Sequence, residues 1–135
     1  MRMNMIPPVF LCTQHLNAEH GELHKHHHNF VKQHSITGRV TPPDIQIEPE
    51  SMLTRHDELA HELIVRGGNH KSPYTEPDLS YLPDNERNAR VNRLKRFNTL
   101  FTNCEKCKGK MLRVAYIRPE YFANLIIKMI DEDWE

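Results

Sequence analysis

The sequence is poor in the residues that build several common kinds of protein. Three cysteines in 135 residues are too few, and an odd number, for a secreted disulfide framework. Five glycines leave little room for a nucleotide cradle, and no G-x-S-x-G, phosphate-loop or dinucleotide fingerprint occurs. No apolar run approaches the ~18 residues that cross a bilayer, so no membrane partner is expected. The opening Met1-Arg2-Met3-Asn4-Met5 carries one basic residue and meets Pro7-Pro8 too soon for a signal peptide. Net charge is also missing: Lys+Arg and Asp+Glu number 18 each, so any charged surface must arise from distribution rather than from the total. Hydrophobic residues at 38% and aromatics at 7% allow a modest core. A soluble, single-domain protein of a reducing compartment, the cytoplasm, is expected.

Helical patterning dominates what is there. Thr13 can cap a helix running to about His34, with Leu16, Leu23, Phe30 and Val31 at helical spacing and Gly38 closing the segment. Thr41-Pro42-Pro43 and Pro49 bracket an extended stretch, Ile45-Gln46-Ile47. A second helix is predicted from about Ser51 to Arg66, with Leu53, Leu59, Leu63 and Ile64 inward and Gly67-Gly68 as its stop. Residues 69–83 are polar and proline-punctuated, which reads as a surface loop. Asp84 can cap a third helix to about Phe101, bearing Val91, Leu94, Phe97 and Phe101 on one side. Met111–Ile117 reads as a short strand, and Pro119 suits the first turn of a last helix with Phe122, Leu125, Ile126, Met129 and Ile130 as its stripe. The expected fold is therefore mainly α, a compact domain of three to four helices with long loops.

Charge sorts along this map. Arg87, Arg90, Arg93, Lys95, Arg96, Lys106, Lys108, Lys110 and Arg113 face one acid, Glu105, in the same stretch. A basic helix followed by a basic loop suits phosphate, because each cation that neutralises one releases counterions. The plain alternative is a solvated face without a partner.

Two groups of potential ligands stand out. His20, His24 and His28 recur at four-residue steps and share a helical face, with Glu19 and His27 nearby. Cys104-Glu105-Lys106-Cys107 is a lone C-x-x-C, and Cys12 is the only other thiol. No recognised spacing completes either set, so no metal or other cofactor is expected. The histidines are read as packing on one another or meeting phosphates, and the thiols as inert.

The opening segment is more informative. On a helix His15, Ala18, Glu22 and Lys25 follow one another at steps of three, four and three, which makes a poor core and a reasonable polar site. The run Gln14-His15-Leu16, Ala18-Glu19 and Glu22-Leu23, with Arg2 and Asn4 at matching distance before it, resembles the pyrimidine-dimer DNA glycosylase/AP lyase family, the T-even phage endonuclease V-like enzymes. Weaker similarity continues through Glu62-Leu63, Arg66-Gly67 and Lys106 to Lys110, and it ends before about residue 112. Residues 1–111 would then form the family-like core and 112–135 a C-terminal extension of the same domain.

The resemblance implies a compact helical, metal-free enzyme whose N-terminal α-amine attacks C1′ of a damaged nucleotide. The base leaves as a Schiff base forms, and β-elimination nicks the strand. An α-amine with a pKa of about 7.7–8.0 is partly neutral at pH 7, unlike a lysine, and a nearby carboxylate can stabilise the imine and move protons. By that resemblance Met1 supplies the amine and Glu22 the catalytic carboxylate, with Arg2 and His15 as substrate-binding residues. Lys25, Arg87, Arg90, Arg93, Lys106 and Lys110 would hold the backbone of double-stranded DNA carrying a damaged or modified base, with the protein acting as a monomer. Gly21 stands where the family has an arginine that recognises the dimer, and Lys25 replaces another. Arg2 is too large for removal of Met1, so the retained Met1 amine takes the place of the family's exposed threonine amine. Two alternatives belong to other classes: a non-catalytic nucleic-acid-binding protein on the same scaffold, and a zinc-binding interaction module using the histidine helix with Cys104 and Cys107.

Overall fold

The computed structural model describes residues 2–70 and 72–133, and it is mainly α-helical. Helices α1 (Thr13–Val31), α2 (Met52–Val65), α3 (Asp84–Arg87), α4 (Arg93–Asn103), α5 (Glu105–Ile117) and α6 (Pro119–Asp133) follow in order, joined by short 3-10 turns and irregular segments. Helix α1 packs on α2, and α4, α5 and α6 pack on one another. The 3-10 turn Pro8–Phe10 wedges between the two groups against α2 and α5. Its Phe10 is fully buried, meeting Phe97 edge-on at 5.5 Å and Phe122 at 5.6 Å between ring centres. Phe122 thereby ties α6 into the core, so the C-terminal residues are a packed part of the domain.

Helix ends follow local chemistry. The side chain of Cys12 accepts the His15 N–H at the start of α1, and Cys104 accepts the Cys107 N–H at the start of α5. Helix α1 stops at Val31, short of His34, because Gln33 takes a left-handed conformation (φ 55°) and lets His34 N–H reach back to Asn29 O at 2.9 Å. Gly38 sits beyond, in a 3-10 turn. Helix α2 ends as its sequence predicts: Gly67 is left-handed (φ 88°), and Gly68 N–H closes on Leu63 O at 2.8 Å. Its buried face is rotated from the expected one. Met52, Arg55, His56, Leu59 and Ala60 point inward while Ile64 is exposed, because Arg55 and His56 have polar partners on α1.

Two expectations are corrected. Asp84 to Phe101 does not form one helix; residues 88–92 break it, because buried Glu48 accepts the Val91 N–H at 2.9 Å and both Arg93 guanidinium nitrogens at 3.0 and 3.1 Å. Asn92 then starts a fresh helix by accepting the Lys95 N–H. The stretch Met111–Ile117 is the second half of α5, not a strand, and the basic segment Lys106–Lys110 is its first half, not a loop. Helix propensity and burial of Cys107 and Met111 outweigh the β-branched pair Val114 and Ile117.

Glu48 is wholly buried and also accepts the Ser51 hydroxyl, while Arg93 reaches Glu132 of α6 at 2.6 Å. Removing the carboxylate would strand a buried guanidinium and an amide N–H. Glu48→Ala should therefore cost about 3–5 kcal/mol of stability, measured as a lowered urea midpoint with unchanged slope.

Candidate functional site

Helix α1 is unusual in burying Glu19, Glu22 and His26 along with Leu16, Leu23 and Phe30. Each buried carboxylate needs a partner from elsewhere in the chain. Glu19 receives a two-pronged bond from Arg55 of α2, at 2.7 and 3.0 Å. Glu22 Oε1 accepts from His26 Nε2 at 2.9 Å and lies 3.7 Å from Arg39 Nη1. Its second oxygen, Oε2, is buried with no hydrogen-bond partner among the described residues. Burial lowers the pKa of His26, outweighing the pull of Glu22, and Arg39 and Lys25 push the same way, so a neutral imidazole donates to the carboxylate.

The N-terminal segment is linked to this carboxylate through Gln46 and Arg39. Met3 N–H donates to Gln46 O at 2.8 Å, Gln46 N–H donates to Arg39 O at 2.8 Å, and Arg39 Nη1 lies 3.4 Å from Gln46 Oε1. The guanidinium facing Glu22 thus belongs to the same network that fixes Met3. Arg2 makes a two-pronged pair with Asp44 at 2.6 and 2.9 Å, which holds the Asp44 carboxyl below its usual range. Buried Asn4 accepts from Arg96 at 2.9 and 3.1 Å. Met1, named from the sequence as the nucleophile, lies outside the described residues.

His15 is not part of this site. It precedes Glu22 by seven residues, about 10 Å along the helix axis, and its ring belongs to a different group. Its Nδ1 lies 3.2 Å from Cys12 Sγ and 3.5 Å from both Cys104 Sγ and Cys107 Sγ, while Cys12 and Cys104 sulfurs are 4.0 Å apart. The assignment of His15 to substrate is corrected accordingly: α1 and α5 both begin here, and their capping thiols claim the ring. Burial pushes the Cys107 thiol up to about 12 in the absence of a cation. Cys104 is held below its ordinary value because hydrogen bonds from Cys107, Cys12 and the Lys106 amide outweigh burial.

A second group gathers four histidines. His20 and His24 of α1 meet His56 of α2 and His70 beyond it, with His56 Nε2 3.1 Å from His24 Nε2 and 3.2 Å from His70 Nε2. His20 Nε2 is buried without a partner among the described residues, and its pKa falls to about 4 through burial and then through His56, His24 and His70. His28, which shares the predicted spacing, is exposed and stands apart from this group.

Among the predicted backbone contacts, Lys25, Arg90 and Lys106 are exposed and Lys110 is half-buried. Arg87 pairs with Asp84 and donates to Leu82 O at 3.1 Å. Arg93 is corrected: it is buried between Glu48 and Glu132 and cannot reach a phosphate. Lys106, Lys110 and Arg113 of α5 instead face Thr13 and Gln14, the first turn of α1, across a cleft of about 400 Å³. Cations opposite the positive end of a helix form an anion-attracting surface.

Sequence reasoning missed Arg39, His56, His70 and the partnership of Cys12. One signal was available: Cys12-x-x-His15 repeats the spacing of Cys104-x-x-Cys107. His56 and His70 carry no local signature. No family model, curated protein or solved structure matches the chain.

Proposed function

We propose that the protein is a DNA N-glycosylase with abasic-site lyase activity, built around Glu22 and the chain's α-amine at Met1. The observation that carries this reading is a buried carboxylate with one oxygen unpartnered among the described residues, beside the guanidinium to which the N-terminal segment is tied. Burying such a group costs stability, and functional sites are where such a cost is retained.

The chemistry follows from the groups present. The neutral amine attacks C1′, and the bond to the base breaks with the electron pair leaving on the base. The amine then loses a proton, and the sugar ring opens as the C1′–O4′ bond breaks, its electron pair going to O4′, which is protonated. The nitrogen lone pair forms the C1′=N bond of the iminium. Deprotonation at C2′ then expels the 3′-phosphate, and water releases the amine from the sugar. Glu22 is suited to stabilise the cationic sugar and iminium and to take the C2′ proton, while Arg39 and neutral His26 fix its orientation. Arg90, Lys106, Lys110 and Lys25 attract the phosphate backbone, and the damaged nucleotide must leave the stack to reach C1′. Pyrimidine dimers or another damaged base would be the substrate, since Gly21 and Lys25 replace the arginines of the resembled family.

Borohydride with abasic-site DNA should trap a covalent adduct through the α-amine. An adduct that persists after acetylation of that amine would remove Met1 from the mechanism. Glu22→Gln, nearly the same shape, should retain DNA binding and lower strand scission by about 10²–10⁴-fold. DNA binding with no scission by either protein would favour the non-catalytic scaffold. Lys106→Ala should weaken binding on all sequences alike and reduce the slope of log affinity against log salt by about one.

A further inference from the structure

The two side-chain clusters set aside above are not explained by DNA chemistry. We propose that the protein binds two zinc ions, one at Cys12, His15, Cys104 and Cys107 and one at His20, His24, His56 and His70, and that both are closed structural sites.

The thiol site has the dimensions of a tetrahedron around zinc. Zn–S bonds of about 2.3 Å and Zn–N bonds of about 2.0–2.1 Å require ligand edges of about 3.8 Å between sulfurs and about 3.6 Å from sulfur to nitrogen. The observed edges are 4.0 Å between Cys12 and Cys104, and 3.2, 3.5 and 3.5 Å from His15 Nδ1 to the three sulfurs. A disulfide needs about 2.05 Å, and all three cysteines are free. Each sulfur accepts a backbone N–H: Cys12 from His15, Cys104 from Cys107, and Cys107 from Cys12 at 3.2 Å. Such bonds stabilise thiolate ligands, and two of the sulfurs also sit at helix N-termini. The C-x-x-H start of α1 and the C-x-x-C start of α5 therefore form matching halves of one centre.

The histidine site stands on separate observations. Three Nε2 atoms converge at 3.1 and 3.2 Å, and the fourth, on His20, is buried with no hydrogen-bond partner among the described residues. His56 Nδ1 faces Asp57 Oδ1 at 3.1 Å, so that nitrogen carries the proton and Nε2 presents its lone pair to the centre. Nitrogen–nitrogen edges around zinc are about 3.3 Å. The four ring nitrogens lie within 4.8 Å of one another, a set that one divalent cation can take together. Four protein ligands leave neither centre an open position for water, which marks both as structural.

The test is metal analysis of untagged wild-type protein after exposure to excess zinc and removal of loosely bound metal. Two equivalents per chain are expected, and cobalt in their place should show tetrahedral visible bands plus a thiolate charge-transfer band. Cys104→Ser should lose one equivalent and that band; His70→Gln should lose the other equivalent and keep the band. Should a variant not fold, sequential release from the wild type decides: thiol modification frees one equivalent, and the second stays until acid. Fewer than two equivalents on the wild type, or variants that keep both, would overturn the proposal. Neither result depends on scission of DNA, so the lyase reading stands or falls separately.

Discussion

Helix α1 buries charge that the chain must answer from a distance, and the remaining architecture is arranged to do so. A helix with only Leu16, Leu23 and Phe30 as large buried apolar side chains has a weak hydrophobic claim on its neighbours. It also carries Glu19, Glu22 and His26 out of water. Arg55 from α2 answers Glu19, and Arg39 from the following turn approaches Glu22. An unpaired buried carboxylate is severely destabilising, so these partners specify how α2 and the 36–48 segment must sit on α1. Arg66 does similar work at the other end of α2, donating to Pro8 O at 3.0 Å and Leu11 O at 2.7 Å and so holding the turn that carries Phe10.

The same economy accounts for where the two ligand clusters lie. The thiols join the start of α1 to the start of α5, and the histidines join the middle of α1 to α2 and the segment after it. A core drawn from 38% hydrophobic residues gains from such cross-links, since binding to the folded state alone adds directly to its stability. Both clusters are distinct from Glu22, whose contacts are His26 and Arg39. In the proposed scheme the metals hold the frame, and proton transfer belongs to a carboxylate that touches neither.

Much of this frame was legible. The length of α1 to within a turn, the glycine stop of α2, the proline start of α6 and the irregular 69–83 segment all follow from local rules that act within a few residues. What was not legible depended on distant partners. Nothing near Val91 announces that Glu48 will take its N–H, so the break before α4 was invisible. Val114 and Ile117 favour a strand locally, and packing of α5 against α4 and α6 overrides them. For the site, Glu22 was legible as a polar residue on the helix, but its burial and its Arg39 neighbour were not. The histidines of α1 were read as packing on one another or meeting phosphates, and the rings that His20 and His24 meet lay far along the chain, His56 being 32 residues from His24 and His70 further on.

Zero net charge hides a polar distribution of surfaces. Each buried acid-base pair, Glu19 with Arg55 and Glu48 with Arg93, removes one charge of each sign and leaves the balance unchanged. The exposed remainder is segregated. Around the start of α5 a cleft presents Lys106, Lys110 and Arg113. Between α2 and α6 a larger one, of about 890 Å³, is lined by Glu50, Asp57, Glu58, Glu62 and Glu132 together with the cations Arg55, Arg93 and Lys128. The first attracts a polyanion over distances comparable to the Debye length of about 8 Å at physiological salt, while acids and cations share the lining of the second. On the proposed reading, the α5 side with Lys106, Lys110 and Arg113 is the one that would face a duplex.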